Sequence, residues 1–280
     1  VLTLLPEGEE LLNDLSAEAA TILAAEDAGV RVAHVELASD DGLLLGGPFM
    51  ISSFVPGETV PRRVLRLVAE RGHGDRDVEQ LGASLARLHS IPVDAAPNGL
   101  RRADVADPIE AALLHLREKL DELPVPRPVL ELGMRWLHRR ALDPPARTTI
   151  VHGDARTGNI VVDDQGLAAI LDWEVAAAGG DPMQDLAWTS LRMWRFRNDE
   201  LEIGGLAGRD ALVRGYESAG GTYDAARFEW WKVAETLRWA IGLAVQAEAF
   251  LDGRVPNIVM AASGRRVSEM EWDLLMLIRP

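Results

Sequence analysis

The spacing of apolar residues changes character along the chain. Residues 1–5 form a short apolar stretch closed by Pro6. From 11 to 25 the apolar positions recur at helical spacing, with Leu11, Leu15, Glu18 and Ile22 on one face. Residues 49–55, apolar except for Ser52 and Ser53, read as a buried strand, stopped by Pro56-Gly57. From residue 60 onward the pattern is mainly helical. Residues 78–90 carry Leu81, Leu85 and Leu88 on one face, with His89 closing the helix as a packing or capping residue. Further helices are predicted over 108–120 and 129–140, on either side of the proline-rich 123–128. Thr149-Ile150-Val151 then leads into two apolar runs, 160–162 and 167–171, around Asp163-Asp164-Gln165-Gly166, which together predict a β-hairpin. Asp181-Pro182 has the form of a helix start. The remaining predicted helices cover 183–197, 209–219, 225–251 and 263–278, with a break at Gly220-Gly221.

The hairpin and its lead-in hold the chemistry. His152 and Asp154 lie on the turn that enters it, Asn159 follows five residues after Asp154, and Asp172 stands at the exit before Trp173 and Glu174. A loop aspartate can accept the proton of an attacking hydroxyl. An asparagine oxygen and a second carboxylate a hairpin away can share a magnesium ion that bridges nucleotide phosphates. Magnesium takes hard oxygen ligands and keeps several waters, so few protein ligands suffice. Singly, each of these residues also suits a turn cap. Their order and spacing together fit phosphoryl transfer.

The string His152-Gly153-Asp154, with Asn159 and Asp172-Trp173-Glu174, resembles the catalytic segment of the aminoglycoside phosphotransferase and choline kinase-like family, relatives of the protein kinases. With the run from Gly179-Gly180-Asp181-Pro182 to Asp185 and Trp188, it is most similar to phosphotransferase domains related to those fused to some acyl-CoA dehydrogenases. The resemblance covers nearly the whole chain and is specific mainly over 150–190. It implies an α+β, bilobal, protein-kinase-like fold. A small β-containing N-lobe with the hinge strand, incomplete at its start, would occupy 1–56, and a larger, mainly helical C-lobe with the catalytic loop and acceptor site 57–280. It further implies ATP and Mg2+ as cofactors and transfer of the γ-phosphate to a hydroxyl of a small molecule. Asp154 would be the base, Asn159 and Asp172 the magnesium ligands, and Arg156 a contact of the transferring phosphate. His152 would organise the loop from a buried position. Asp185 would hydrogen-bond the loop from below; as a first-turn helix acid it has a second explanation in the macrodipole. Backbone groups near Ser53, Phe54 and Val55 would meet the adenine ring. Glu18 would pair with a strand lysine that grips the phosphates; its other reading is a glutamate at the edge of the stripe reaching water.

Composition narrows the partners. The chain has 280 residues, 48% of them apolar, enough for two lobes around a cleft. It carries 29 basic against 44 acidic side chains, a net −15, which argues against nucleic acid and mildly favours a cationic or neutral acceptor. No apolar run reaches the roughly 18 residues of a membrane span, and the first residues show no secretion signal. With zero cysteines, a cytoplasmic protein is expected. Nothing in the pattern sets an oligomeric state. Trp188, Trp194, Arg192, Arg195 and Arg197 in one cluster, and Glu229, Trp230, Trp231, Glu235 and Trp239 in another, read either as core at helical spacing or as acceptor-site walls, with arginines suited to an anionic acceptor.

Two features depart from the family. No Gly-rich loop precedes residue 40, and no lysine precedes Lys119, although residues 1–6 resemble the strand that would carry one, with Thr3 near the cationic position. Either the natural N-terminus lies upstream of Val1, which the intact catalytic segment favours, or the phosphate grip is weakened. The main rival to a kinase is therefore a catalytically impaired kinase-like nucleotide-binding or scaffold protein. A metal-dependent hydrolase using Asp154, Asp172 and His152 is a weaker one.

Overall fold

The computed structural model describes residues 1–5, 12–103 and 105–279. Leu11, placed by its spacing on the first helical face, lies outside them. The elements begin β1 (Leu2–Leu4), α1 (Leu15–Asp27), β2 (Val35–Ser39), β3 (Phe49–Ser52), α2 (Pro61–Arg71) and α3 (Gly74–Ser90). They continue α4 (Pro108–Asp121), α5 (Pro128–Arg139), β4 (Thr149–Val151), β5 (Ile160–Asp163), β6 (Gly166–Ile170) and β7 (Ala177–Gly180). The last are α6 (Pro182–Thr189), α7 (Arg209–Ser218), α8 (Ala225–Leu251), α9 (Ile258–Ser263) and α10 (Val267–Ile278). They divide into two units, Val1–Ala103 with Ala146–Asp224, and Asp104–Pro145 with Ala225–Pro280.

In the first unit an antiparallel sheet of order β1-β3-β2 sets Thr3 opposite Met50 and Leu37 opposite Ile51. The apolar run expected to be a strand through Val55 pairs only to Ser52. Beyond it the Ser53 N–H donates to the His34 carbonyl at 2.8 Å. α1 buries Leu15, Glu18, Ile22 and Ala25, the stripe its spacing predicts. Its exit loop is tied to the hairpin, since the Ile170 N–H donates to the Arg31 carbonyl at 2.8 Å and the Arg31 guanidinium to the Leu167 carbonyl at 2.8 Å. The hairpin itself is β5–β6, with Asp163 opposite Gly166. Glu58 and Val162 exchange backbone hydrogen bonds of 2.8 and 3.0 Å, which staples the segment after β3 onto β5. β4 pairs antiparallel with β7.

The helix predicted over 183–197 ends at Thr189. The hydroxyls of Thr189 and Ser190 bond back to the carbonyls of Leu186 and Ala187, each at under 3 Å (2.8 and 2.7 Å), diverting the last turn. A single 3-10 turn, Arg192–Arg195, follows, and Phe196 and Arg197 both take positive φ, 49° and 78°. In the second unit α8 spans the 225–251 that periodicity predicts and buries Trp230 and Trp231, so this part of the tryptophan stripe is core. The Trp230 indole donates to the Leu137 carbonyl of α5, and Gly133 of α5 admits Leu274 of α10. The final predicted helix, 263–278, is a 3-10 turn at Gly264–Arg266 running into α10, and a separate short helix, α9, capped by Asn257, precedes it. No helix among the described residues is long and apolar enough to cross a membrane.

Candidate active site

The loop between β4 and β5 carries His152, Asp154, Arg156 and Asn159. Its course is set from beneath by Asp185 of α6, a fully buried carboxylate that accepts the N–H groups of His152 and Gly153, each at 2.7 Å. Burial alone would raise the Asp185 pKa, but His89, His152 and the Gly153 amide outweigh it and hold the carboxyl below its ordinary value. Gly153 turns the chain at φ 79°, where a Cβ would stand 3.0 Å from the Val175 carbonyl oxygen. His152 is buried on the Trp173 ring at 4.5 Å between centroids. Burial lowers its pKa, and its neutral Nδ1 accepts the Asp154 N–H at 3.1 Å. It organises the loop and does not face the cavity.

Asp154 receives several donors. Arg156 Nε lies 2.9 Å from Oδ1 and 3.2 Å from Oδ2, the Trp188 indole donates to Oδ1 at 2.8 Å, and Asn159 Nδ2 donates to Oδ2 at 2.6 Å. The Arg156 guanidinium also stacks 4.7 Å over Trp194, whose ring centroid is 5.0 Å from that of Trp188. Of the Trp and Arg residues after the hairpin, Trp188 and Trp194 thus gather with Arg156 at Asp154, with both indoles largely buried.

The hairpin brings the next two residues together. The Leu171 N–H donates to the Asn159 carbonyl at 2.8 Å, extending the β5–β6 ladder to the residue before Asp172. Asp172 then adopts φ 68°, a strained conformation for a residue with a Cβ, and opens onto the cavity. Desolvation by the cavity wall and the Asp154 charge raise its pKa, against the opposing pull of His152, Arg156 and Asn159. Because Asn159 uses Nδ2 on Asp154, its Oδ1 remains as an oxygen donor. Among the described residues no group of three or more His, Cys, Asp or Glu could hold a metal unaided. An oxygen-donor pair of this kind suits magnesium, which draws the rest of its shell from phosphate and water.

A cavity of about 600 Å³ lies beside Asp172, and its wall includes Thr3, Glu18, Met50, Ser53, Phe54, Val55 and Glu174. The segment 53–55 thus faces this cavity, but the Ser53 N–H is committed to His34, which leaves the backbone groups of Phe54 and Val55 for a ligand edge. Glu18 is buried, and no basic side chain pairs with it among the described residues. Burial, then the charges of Glu174 and Asp172, push its pKa from 4.5 to about 7. The structure also brings in Asn13, which the sequence pattern does not single out. Its amide donates to the carbonyls of Glu174 and Ala176, both at 2.9 Å, and accepts the Arg101 N–H at 2.8 Å, fastening the start of α1 to the segment after Asp172.

The fold and the grouping of Asp154, Asn159 and Asp172 fit the class of kinase-like phosphotransferases. The model of the phosphotransferase enzyme family (APH) matches residues 1–230, and the chain belongs to that family. Mouse (Mus musculus) acyl-CoA dehydrogenase family member 10 is 23% identical over 286 residues, covering 97% of this chain and 26% of that protein. The chain therefore spans about a quarter of the length of this relative (26%). Among solved structures, a Ralstonia eutropha protein ascribed to the aminoglycoside phosphotransferases superposes with TM-score 0.69 at 22% identity, covering 92% of this chain and 83% of that one. The GDP complex of aminoglycoside 2'-phosphotransferase-IIIa gives TM-score 0.64 at 14% identity, covering 98% and 93%. At such identities the likeness is one of fold, and the α+β kinase-like architecture expected from the sequence is the one found.

Proposed function

We propose that the protein is a magnesium- and ATP-dependent phosphotransferase that places the γ-phosphate of ATP on a hydroxyl of a small molecule. The observation that carries this reading is the convergence of Asp154 and Asn159 on Asp172, which lines the cavity faced by 53–55. Asp154 would orient the acceptor hydroxyl and take its proton. Arg156, beside Asp154 and held over Trp194, would meet the transferring phosphate. Asn159 Oδ1 and Asp172 would hold magnesium, which supplies charge neutralisation on the phosphates when bound. Phe54 and Val55 would take the purine edge, and Glu18 would border the phosphates. The N-lobe and hinge would correspond to 1–56 and the C-lobe to 57–280. Catalysis of this kind rests on positioning and charge, with no covalent intermediate on the protein.

One observation favours a second reading, an impaired kinase-like nucleotide-binding or scaffold protein. Among the described residues, the cavity wall holds Glu18, Asp172 and Glu174 and no lysine or arginine. Calorimetric titration with Mg-ATP, with a magnesium-free control, separates the two. The phosphotransferase reading expects magnesium-dependent binding that Asp172→Asn abolishes. Absence of binding, or binding indifferent to both magnesium and Asp172, would favour the scaffold.

A further inference from the structure

The support beneath the 152–154 backbone extends beyond Asp185. Asp185 Oδ2, which accepts the His152 N–H, also lies 3.0 Å from His89 Nε2, and His89 Nδ1 lies 2.9 Å from the Tyr216 hydroxyl. His89, Asp185 and Tyr216 are all buried, at 1%, 0% and 2% exposure, so each polar atom depends on its partner in the chain. Tyr216 belongs to α7 and His89 to α3, and these helices meet through glycines. A Cβ on Gly82 would run into the α7 backbone at Leu212, and one on Gly215, next to Tyr216, into the α3 backbone at Glu79. The His89 carbonyl is fixed separately, accepting from Arg147 at 2.7 Å and Thr149 at 2.9 Å. What remains to be set is the imidazole.

A neutral histidine is a donor at one nitrogen and an acceptor at the other, so the partner of one nitrogen decides what the other offers. Burial first, then the Asp185 charge, raise the Tyr216 pKa, so its hydroxyl keeps its proton and donates to Nδ1. Nε2 then carries the ring proton and donates to Asp185. Without the hydroxyl, Nδ1 is left as a buried acceptor with no donor, and the ring loses the contact that holds it in register with Asp185.

We propose that Tyr216 is a positioning residue of the active site, acting through His89 and Asp185 to fix the backbone from which Asp154 projects. The functional half of this proposal rests on Asp154 being the base. The structural half stands on its own and predicts which amides respond.

Both halves are tested on the full chain with Tyr216→Phe, His89→Leu and His89→Gln, the glutamine offering an amide donor where Nε2 stood. Hydrogen exchange read by NMR at His152 and Gly153 is expected to speed up about tenfold in Tyr216→Phe and His89→Leu, the scale of one weakened buried hydrogen bond. Amides elsewhere in α3 and α7 should keep wild-type rates, and His89→Gln should restore protection. Phosphate release from Mg-ATP, with water as acceptor, should lose about 10- to 100-fold in kcat while KM for Mg-ATP stays within about twofold. Tyr216→Phe removes one hydroxyl and leaves the ring, so it carries the test should His89→Leu fail to fold. Unchanged exchange at 152 and 153 in Tyr216→Phe overturns the proposal, as do equal losses in His89→Gln and His89→Leu. If the wild-type protein releases no phosphate, the phosphotransferase reading falls while the exchange data still decide the relay.

Discussion

An incoming hydroxyl reaches Asp154 only by displacing or sharing a donor already there, since Arg156, Trp188 and Asn159 all bond its carboxylate. Arg156 makes its contact while its guanidinium is stacked over Trp194. Asp154→Asn keeps an oxygen for these donors but cannot take a proton. Its expected outcome is an unchanged melting temperature with Mg-ATP turnover reduced at least ~100-fold, the scale of a general base. Wild-type turnover would remove Asp154 from the role. Glu18 lends itself to a different measurement. Its folded-state pKa of about 7 exceeds the ordinary 4.5, so the folded chain holds this proton more tightly than the unfolded one. The associated stability is whole below about pH 4.5 and is lost as the pH rises through about 7, with a total of roughly 3 kcal/mol. Glu18→Gln cannot ionise. Its melting temperature should exceed that of the wild type at pH 8, and the gap should close towards pH 4.5. A gap that stays constant across this range would mean that Glu18 titrates normally.

At the scale of elements, the legible parts of the sequence were those whose cause is local. The β5–β6 hairpin announces itself through two apolar runs and a Gly-bearing turn, and Asp154, Asn159 and Asp172 could be placed around it because all belong to one short stretch. α8 is legible for the same reason, its apolar period being unbroken from 225 to 251. β7 shows the opposite case. Ala177-Ala178-Gly179-Gly180 has no strand-forming side chains, and it is small because a Cβ on Gly180 would stand 2.6 Å from the Val151 side chain of its partner strand. That constraint comes from a residue far along the chain and leaves no local period. α6 ends at Thr189, short of the 183–197 its spacing predicts, because the apolar period continues past Thr189 while the hydroxyl back-bonding that ends the helix leaves no change of period. His89 shows how a role can hide. Its position at a helix end fits packing or capping, and only the fold brings it to Tyr216, 127 residues away, and to Asp185. Glu18 was visible as an acid in an apolar stripe, but its burial beside Asp172 and Glu174 was not.

Across the whole molecule, charge sets how a nucleotide can approach. The chain carries a net −15, and residues 1–30 contain no lysine or arginine. The cavity wall likewise presents Glu18, Asp172 and Glu174, and among the described residues that line it no side chain is cationic. A phosphate-bearing ligand therefore meets repulsion both at long range and at the wall, and magnesium, with Arg156 beside Asp154, is what can offset it. Screening then acts in the unusual direction. For a site lined by basic residues, added salt weakens attraction and slows association. Here it should relieve repulsion, so the association rate of Mg-ATP, followed by stopped flow at fixed magnesium, should rise about twofold between roughly 10 and 200 mM NaCl. A rate that falls with salt would show that a basic group faces the nucleotide on its way in, and the carboxylate wall could not then be the surface that governs entry.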